Sequence, residues 1–371
     1  LVDGSGRHNL CFLYYCHARF LHNQQETEQL VRKLNARFQE PLDDTELESM
    51  ITSVASHIEK LGYHGNGTYM FSCEKYLDYL PLSIEESRQA GFTKSLDLKI
   101  QCAEHQKEAL ERETNETARS MLSSMLENVE IAKAADKGVC QSPGYPTTWI
   151  SFGEGNFPAH AAEVIGEAVG EATRKGYLRP SIVDPLTRVN PGDNTGKGVP
   201  NIEYQFHPGQ KYVDFIISFK GCGAELGNAM KIMTTATLGL DKDFQGLKRF
   251  VLETALNAGG KPCPPFGIGI GIGGQMDIAS KLSREAISTR NWTDTNEDPL
   301  LARLETELKD AINSLGLGAA GTGGDTVCLA VKINTAATHT AIAPVAINFH
   351  CWVARRAGIR IYDDGRVEKL L

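Results

Sequence analysis

Apolar side chains recur at helical spacing in three stretches near the start of the chain: residues 10–21 are apolar-rich, 26–38 keep the spacing, and 45–61 follow Pro41. A fourth stripe, Leu122, Met125, Leu126 and Val129, steps i, i+3, i+4, i+7, and Gly138 is its expected stop. Beyond it the texture changes. Strand-like runs at 147–152, 202–206, 212–219, 267–272, 327–333 and 345–349 alternate irregularly with helical patterns at 159–175, 276–288 and 299–315. The last helix is the best marked, with Asp298-Pro299 to open it, a stripe of Leu300, Leu301, Leu304, Leu308 and Ile312, and Gly316 to close it. Asp363-Asp364-Gly365 between 359–362 and Val367 predicts a closing hairpin. The fold class expected is α/β, or mixed α+β, with a mixed sheet over residues 100–371 and an all-helical module over 1–90.

Composition narrows the function. A chain of 371 residues, 41% hydrophobic, buries a sizeable core in two or more folding units. No apolar run approaches the roughly 18 residues of a membrane helix. A net charge of −8 disfavours nucleic acid as partner, and residues 1–85 carry seven Lys/Arg against twelve Asp/Glu, the wrong sign for a phosphate-binding surface. Nine cysteines without a paired pattern, and no signal-like leader, point to the reducing cytoplasm. Leu1, rather than methionine, leaves the true start open.

Several motifs invite chemistry and are outweighed by plainer readings. Gly269, Gly271 and Gly274 spell a formal G-x-G-x-x-G before a helix, yet alternating Gly and Ile suits a buried strand packed closely by other backbone. Gly192–Lys197 is one residue short of a phosphate loop, and Gly198 stands where Ser or Thr should hold magnesium. Gly316–Gly324 is a candidate amide nest for an anion. Arg179 and Arg188 lie among turn formers, where a guanidinium can grip a carboxylate through two hydrogen bonds. His339, twelve residues before Cys351, is a candidate general acid or base.

Three cysteines carry the strongest local signatures: Cys140 in Gly-Val-Cys-Gln, Cys263 in Lys-Pro-Cys-Pro-Pro-Phe and Cys351 in Asn-Phe-His-Cys-Trp. Their spacing matches no compact ferredoxin or zinc pattern, so the flanking residues must make the case. Cys140-Gln141, Leu178-Arg179, Val189-Asn190, Asp193–Gly196, Lys220-Gly-Cys-Gly223, Pro262-Cys-Pro-Pro265 with its Gly-Ile run, His339-Thr340 and Cys351–Arg356 occur in order. Through them, residues 100–371 resemble the iron–sulfur-dependent class I fumarases and, more closely, the α subunit of L(+)-tartrate dehydratase. Residues 1–85 resemble the helical domain at the carboxyl end of some primases, through Gly4–Asn9, Leu34–Phe38 and Pro41–Leu47.

The first resemblance implies a [4Fe–4S] cluster on Cys140, Cys263 and Cys351 whose fourth iron binds a hydroxy di-acid. It implies substrate contacts from Gln141, Arg179 and the Gly221, Cys222, Gly223 turn, and proton transfer or orientation by His339 and Thr340. It further implies a β subunit bearing a swivelling domain, for which this chain leaves no length, in an α2β2 assembly. One departure stands out: the family pattern Cys-Gln-Asp reads Cys140-Gln141-Ser142 here, so an acidic side chain beside the substrate is missing. A related hydroxy acid, or a non-catalytic relative, is the alternative that this departure raises; a dinucleotide oxidoreductase resting on Gly269–Gly274 is the other.

Overall fold

A computed structural model describes residues 24–36, 41–60, 104–135, 137–140, 142 and 144–370. The expected helix at 10–21 lies outside them. Helices α1 (Gln24–Asn35) and α2 (Asp44–Lys60) match the second and third stripes. Their junction is held by Asn35, whose side-chain amide donates to the Leu42 carbonyl and accepts from its N–H, both at 2.9 Å. Val31, Leu47, Met50 and Val54 are buried.

Helix α3 (Glu116–Ala134) begins at an Asn115 cap that accepts from Ala118 N, and ends four residues before Gly138. There follow β1 (Tyr145–Phe152), α4 (Ala161–Arg174), β2 (Asn201–Phe206), β3 (Tyr212–Lys220), the single turn α5 (Cys222–Glu225), β4 (Ala229–Met233), α6 (Thr235–Leu238), α7 (Gln245–Ala258), β5 (Phe266–Gly273), α8 (Met276–Thr289), α9 (Pro299–Asn313), β6 (Cys328–Ala336), β7 (Ala343–His350), β8 (Arg355–Tyr362) and β9 (Val367–Lys369). Instead of one mixed sheet there are two, ordered β2-β1-β3-β8-β9 and β4-β7-β5-β6. Each contains one parallel pair, β1/β2 and β5/β6, and is otherwise antiparallel.

Apart from the short helices α5 and α6, two of these elements had no counterpart in the sequence pattern. Helix α7 starts from Phe244 at φ 58° with no side-chain cap, and its buried face, Leu247, Val251, Thr254, Ala255 and Ala258, is too small and too polar to announce itself. Strand β4 is short and half-exposed at a sheet edge, with Ile232 49% accessible. By contrast, α9 opens as its signals require: Asp298 accepts from the N–H groups of Leu300 and Leu301.

The Gly-Ile run is β5. Ile268 and Ile270 face the core shared with α7 and α9. The glycines face α8 so closely that a methyl on Gly269 would stand 1.9 Å from the Ser283 carbonyl oxygen, and one on Gly271 2.0 Å from that of Ala279. Helix backbone therefore fills the space a dinucleotide would need, and the β1-α4-β2 unit that precedes the strand lies in the other sheet and does not frame it. Gly271→Ala is expected to cost about 3 kcal/mol through overpacking; urea unfolding of the variant checks it.

Helix α8 also reaches the other sheet. Lys281 pairs with Glu203 at 3.0 Å, Glu285 accepts from Gln205 at 2.7 Å, and Arg284 lies over the Tyr145 ring. Thus α8 is the wedge between the two sheets, and the strands that cross from one to the other define where they meet.

Candidate functional site

Strand pairing decides which residues meet. Because β5 and β7 run antiparallel with Gly267 opposite His350, Cys263 just before β5 and Cys351 just after β7 emerge at the same end. Because β1 and β3 run antiparallel with Tyr145 opposite Lys220, the Cys140 segment and the Gly221–Gly223 turn likewise emerge together. Residues 351–354 then carry the chain from β7 of one sheet to β8 of the other, and Phe219 pairs with Arg355. All four segments converge at that crossing.

The contacts there are specific. Trp352 N donates to the Cys263 carbonyl at 3.3 Å, and Arg355 Nη1 donates to the Cys140 carbonyl at 2.7 Å. A methyl placed on Gly221 would stand 3.8 Å from Cys351 Sγ, and one on Gly223 3.9 Å from Cys263 Sγ. The glycine turn thus lines two of the three sulfurs and sets no side chain of Gly221 or Gly223 between them. Gly144 makes the other close approach: at φ 70°, with the Lys220 carbonyl oxygen 1.6 Å from where its Cβ would be, only glycine fits. Cys263 is held at φ 56°, a left-handed conformation of the kind retained at ligand sites against a backbone cost of ~1–3 kcal/mol.

Cys263 senses the other two cysteines. Burial first, then the charges of Cys351 and Cys140, push the Cys263 thiol above its usual range. Among the described residues, no three His, Cys, Asp or Glu side chains converge as ligands of a single ion. A cubane asks for something different, one thiolate for each of three irons. Three cysteines converging on a glycine turn fit that demand.

Behind the cysteines, polar groups stitch the sheets. Lys220 Nζ donates to Glu225 and Asn348, and to Asn228 at 3.3 Å; burial lowers its ammonium to about 8 against the pull of Glu225. His350 Nε2 meets Ser218 Oγ at 3.2 Å. Burial, then Arg356 and Lys220, pull His350 down to about 3, so it is neutral in the fold. Unfolding exposes a histidine of pKa about 6.5, which takes up a proton the native state refuses. Stability should therefore fall as pH drops from 6.5 towards 3, by about 1.4 kcal/mol per unit from this residue. Urea titrations of the native chain and His350→Asn at pH 5 and 6 isolate that slope.

The other expected site residues scatter. Arg179 is exposed after α4, its carbonyl held at 3.0 Å by Asn194 Nδ2. Buried Asn194, at φ 60°, also accepts from Ser181 N and Ile182 N, so the Asp193–Gly196 motif shapes the Arg179 loop rather than a phosphate site. That loop passes the Cys140 segment at Gly138, whose added methyl would lie 3.4 Å from the Cys140 carbonyl and 3.6 Å from that of Tyr177. Gln141 lies outside the described residues; Ser142 is half-buried and Cys222 exposed.

His339 and Thr340 are exposed in the loop before β7, at the end away from Cys351. Seven steps of about 3.3 Å put roughly 23 Å of strand between them and the cysteines. Within one chain the twelve-residue spacing does not bring this histidine to the thiols. His339 Nδ1 accepts from Ala341 N at 3.2 Å, which leaves the proton on Nε2.

The Gly316–Gly324 loop is no open nest either. The Glu113 carboxylate already takes the N–H groups of Asp325 and Thr326, while Ala320 N donates to the Pro264 carbonyl and braces the Cys263 loop. Arg355, by contrast, is a site residue that motif reading passed over. Its only sequence signal was the Cys351–Arg356 run.

Residues 85–360 match the family described as Fumarate hydratase (Fumerase), and residues 2–59 match Primase C terminal 1 (PriCT-1). A Methanocaldococcus jannaschii protein bearing the name L(+)-tartrate dehydratase subunit alpha is 40% identical over 264 residues, 70% of this chain and 90% of that protein. The L(+)-tartrate dehydratase subunit alpha of Escherichia coli is 29% identical over 266 residues, 71% of this chain and 86% of the relative. A Geobacillus stearothermophilus protein named as a class I fumarate hydratase is 32% identical over 257 residues, 68% of this chain but 50% of that longer protein.

Proposed function

Because this chain belongs to the fumarate hydratase (Fumerase) family, we propose that it is the α subunit of a hydro-lyase that reversibly dehydrates a small hydroxy di-acid such as tartrate or malate. The observation that carries this reading is the convergence of Cys140, Cys263 and Cys351 around the Gly221–Gly223 turn. A [4Fe–4S] cluster on these thiolates would supply an open iron as Lewis acid for the substrate hydroxyl and one carboxylate.

The chain's own groups do the rest. Elimination asks for fixed cations on the carboxylates and a positioned base, since a proton beside a carboxylate is weakly acidic. The Arg179 guanidinium, presented by the Asn194-braced loop beside Cys140, grips a substrate carboxylate. Gln141, Cys222 and the Gly221 and Gly223 backbone border the substrate. His339 carries a proton on Nε2, with Thr340 beside it. Ser142 offers a hydroxyl where the family pattern has a carboxylate, which favours a different hydroxy acid over a different reaction.

His339 reaches a tripod only if a second copy supplies it, so the α2β2 assembly is part of the site. Exposed Ile232, Met276 and Ile278 surround the His339 end of the sheet, the apolar surface a subunit contact buries. A β subunit, carrying a swivelling domain, closes the site over the substrate. Residues 100–371 form the cluster-holding domain and residues 1–90 a separate helical module. Free thiols at Cys140, Cys263 and Cys351 fit the reducing cytoplasm, and no described helix is long and apolar enough to cross a membrane.

Anaerobic reconstitution with iron and sulfide, followed by metal and sulfide analysis and a dehydration assay with the β subunit, tests the proposal. A four-iron cluster and turnover of a hydroxy di-acid are expected. No cluster in the intact chain withdraws the assignment.

A further inference from the structure

We propose that Arg355 is the positioning residue that locks the Cys140 leg of the tripod onto the rest of the site, an inference that rests on reading the three cysteines as one ligand set. Cys263 and Cys351 are fixed by the four-stranded sheet, each within three residues of the strand it flanks. Cys140 has no such anchor. It precedes β1 of the other sheet by five residues, is exposed, and follows a helix that has already ended at Ala134. Asn128 Nδ2 donates to the neighbouring Val139 carbonyl at 2.9 Å, and the charged contact at Cys140 itself is Arg355.

The geometry of that contact joins the Cys140 leg to the Cys351 leg. Arg355 opens β8 and lies four residues beyond Cys351, across the turn that Ala354 makes at φ 44° and the Ala354 N to Cys351 carbonyl hydrogen bond closes at 3.1 Å. Its Nη1 donates to the Cys140 carbonyl at 2.7 Å. Its Nη2 is 3.9 Å from the point where a Gly221 Cβ would stand, and that same point is 3.8 Å from Cys351 Sγ. Nε is buried and, among the described residues, makes no hydrogen bond.

The guanidinium therefore spans the gap between the Cys140 backbone and the Gly221 turn. A planar fork suits this task better than an ammonium, because Nη1 can stay on the carbonyl while Nε and Nη2 still point along the other edge of the plane. Its charge falls on the Cys140 and Cys351 side of the tripod, where a cation offsets repulsion between thiolates. A side chain that held the fold alone would need neither the fork nor the charge.

The test compares the full chain with Arg355→Gln and Arg355→Lys. In the cluster-free chain, amide hydrogen exchange over residues 137–145 is expected to be slow in the native protein and about tenfold faster in Arg355→Gln, the loss of one charge-assisted hydrogen bond. Peptides from β5 and β7 should be unchanged. After anaerobic reconstitution, iron loss to a chelator should be about tenfold faster in Arg355→Gln and intermediate in Arg355→Lys, with the melting temperature little moved. Arg355→Lys, which keeps the stem and the charge, carries the test where Arg355→Gln does not fold.

Exchange over 137–145 that is already unprotected in the native chain, or identical in the variants, overturns the inference. So does iron retention that follows melting temperature alone. A native chain that takes up no cluster sinks the hydro-lyase reading instead, and the exchange measurement still judges Arg355.

Discussion

Cys263→Ser should leave a folded chain that assembles no four-iron cluster and has lost hydro-lyase turnover by at least about a thousandfold, equivalent to roughly 4 kcal/mol of transition-state stabilisation. Serine is nearly isosteric, so packing changes little, but its hydroxyl stays protonated at neutral pH and makes a poor ligand where a thiolate is required. The position cannot be rescued by a neighbour, because Cys263 sits on a left-handed residue at the mouth of β5 and its loop is braced by Ala320 and Trp352. Iron and sulfide analysis with electron paramagnetic resonance reads the outcome, and Cys351→Ser and Cys140→Ser should behave alike.

Two other cysteines calibrate that result. Cys328 is buried in the core, its thiol pushed up to about 12 mainly by burial and donating to the Ala330 carbonyl at 3.3 Å. Replacing it should alter stability and leave iron content alone. Cys222, between the two glycines of the turn, should keep the cluster as serine and change substrate affinity. A full iron complement in Cys263→Ser would mean that the convergence of thiols serves packing.

Much of this site was legible in the sequence, and the part that was not has a physical reason. Cys140, Cys263 and Cys351 sit in flanking motifs distinctive enough to name without a fold, and the Asp298-Pro299 start of α9 follows from capping chemistry confined to a few residues. The Gly-Ile run could be recognised as a close-packing strand, though not which helix it packed against. What a linear reading lacks is strand direction. His339 and Cys351 look adjacent at twelve residues, yet the eight residues of β7 between them are extended and carry them to opposite ends of a sheet. Conversely, Arg355 gains its place only because β3 pairs with β8, which sets it beside a segment 215 residues earlier. Helix α7 and strand β4 were missed for a local reason: one lacks a cap and a large apolar stripe, and the other exposes half its side chains.

That separation of His339 from the cysteines leads to the sharpest expectation. Cys263→Ser and His339→Ala should each be inactive as pure α subunits, one lacking the cluster and the other the proton carrier. Co-expressed with distinguishable tags and isolated with the β subunit, they should recover activity. A symmetric pair built from both variants contains one site with intact cysteines on one chain and an intact His339 from the other, and one site lacking both. Random pairing makes half the dimers mixed, so about a quarter of native activity should return. If His339 acted on the cysteines of its own chain, no pairing would unite them and the mixture would stay inactive. The alternative would require the loop at 337–342 to cross some 23 Å of its own sheet, which the eight hydrogen-bonded residues of β7 forbid.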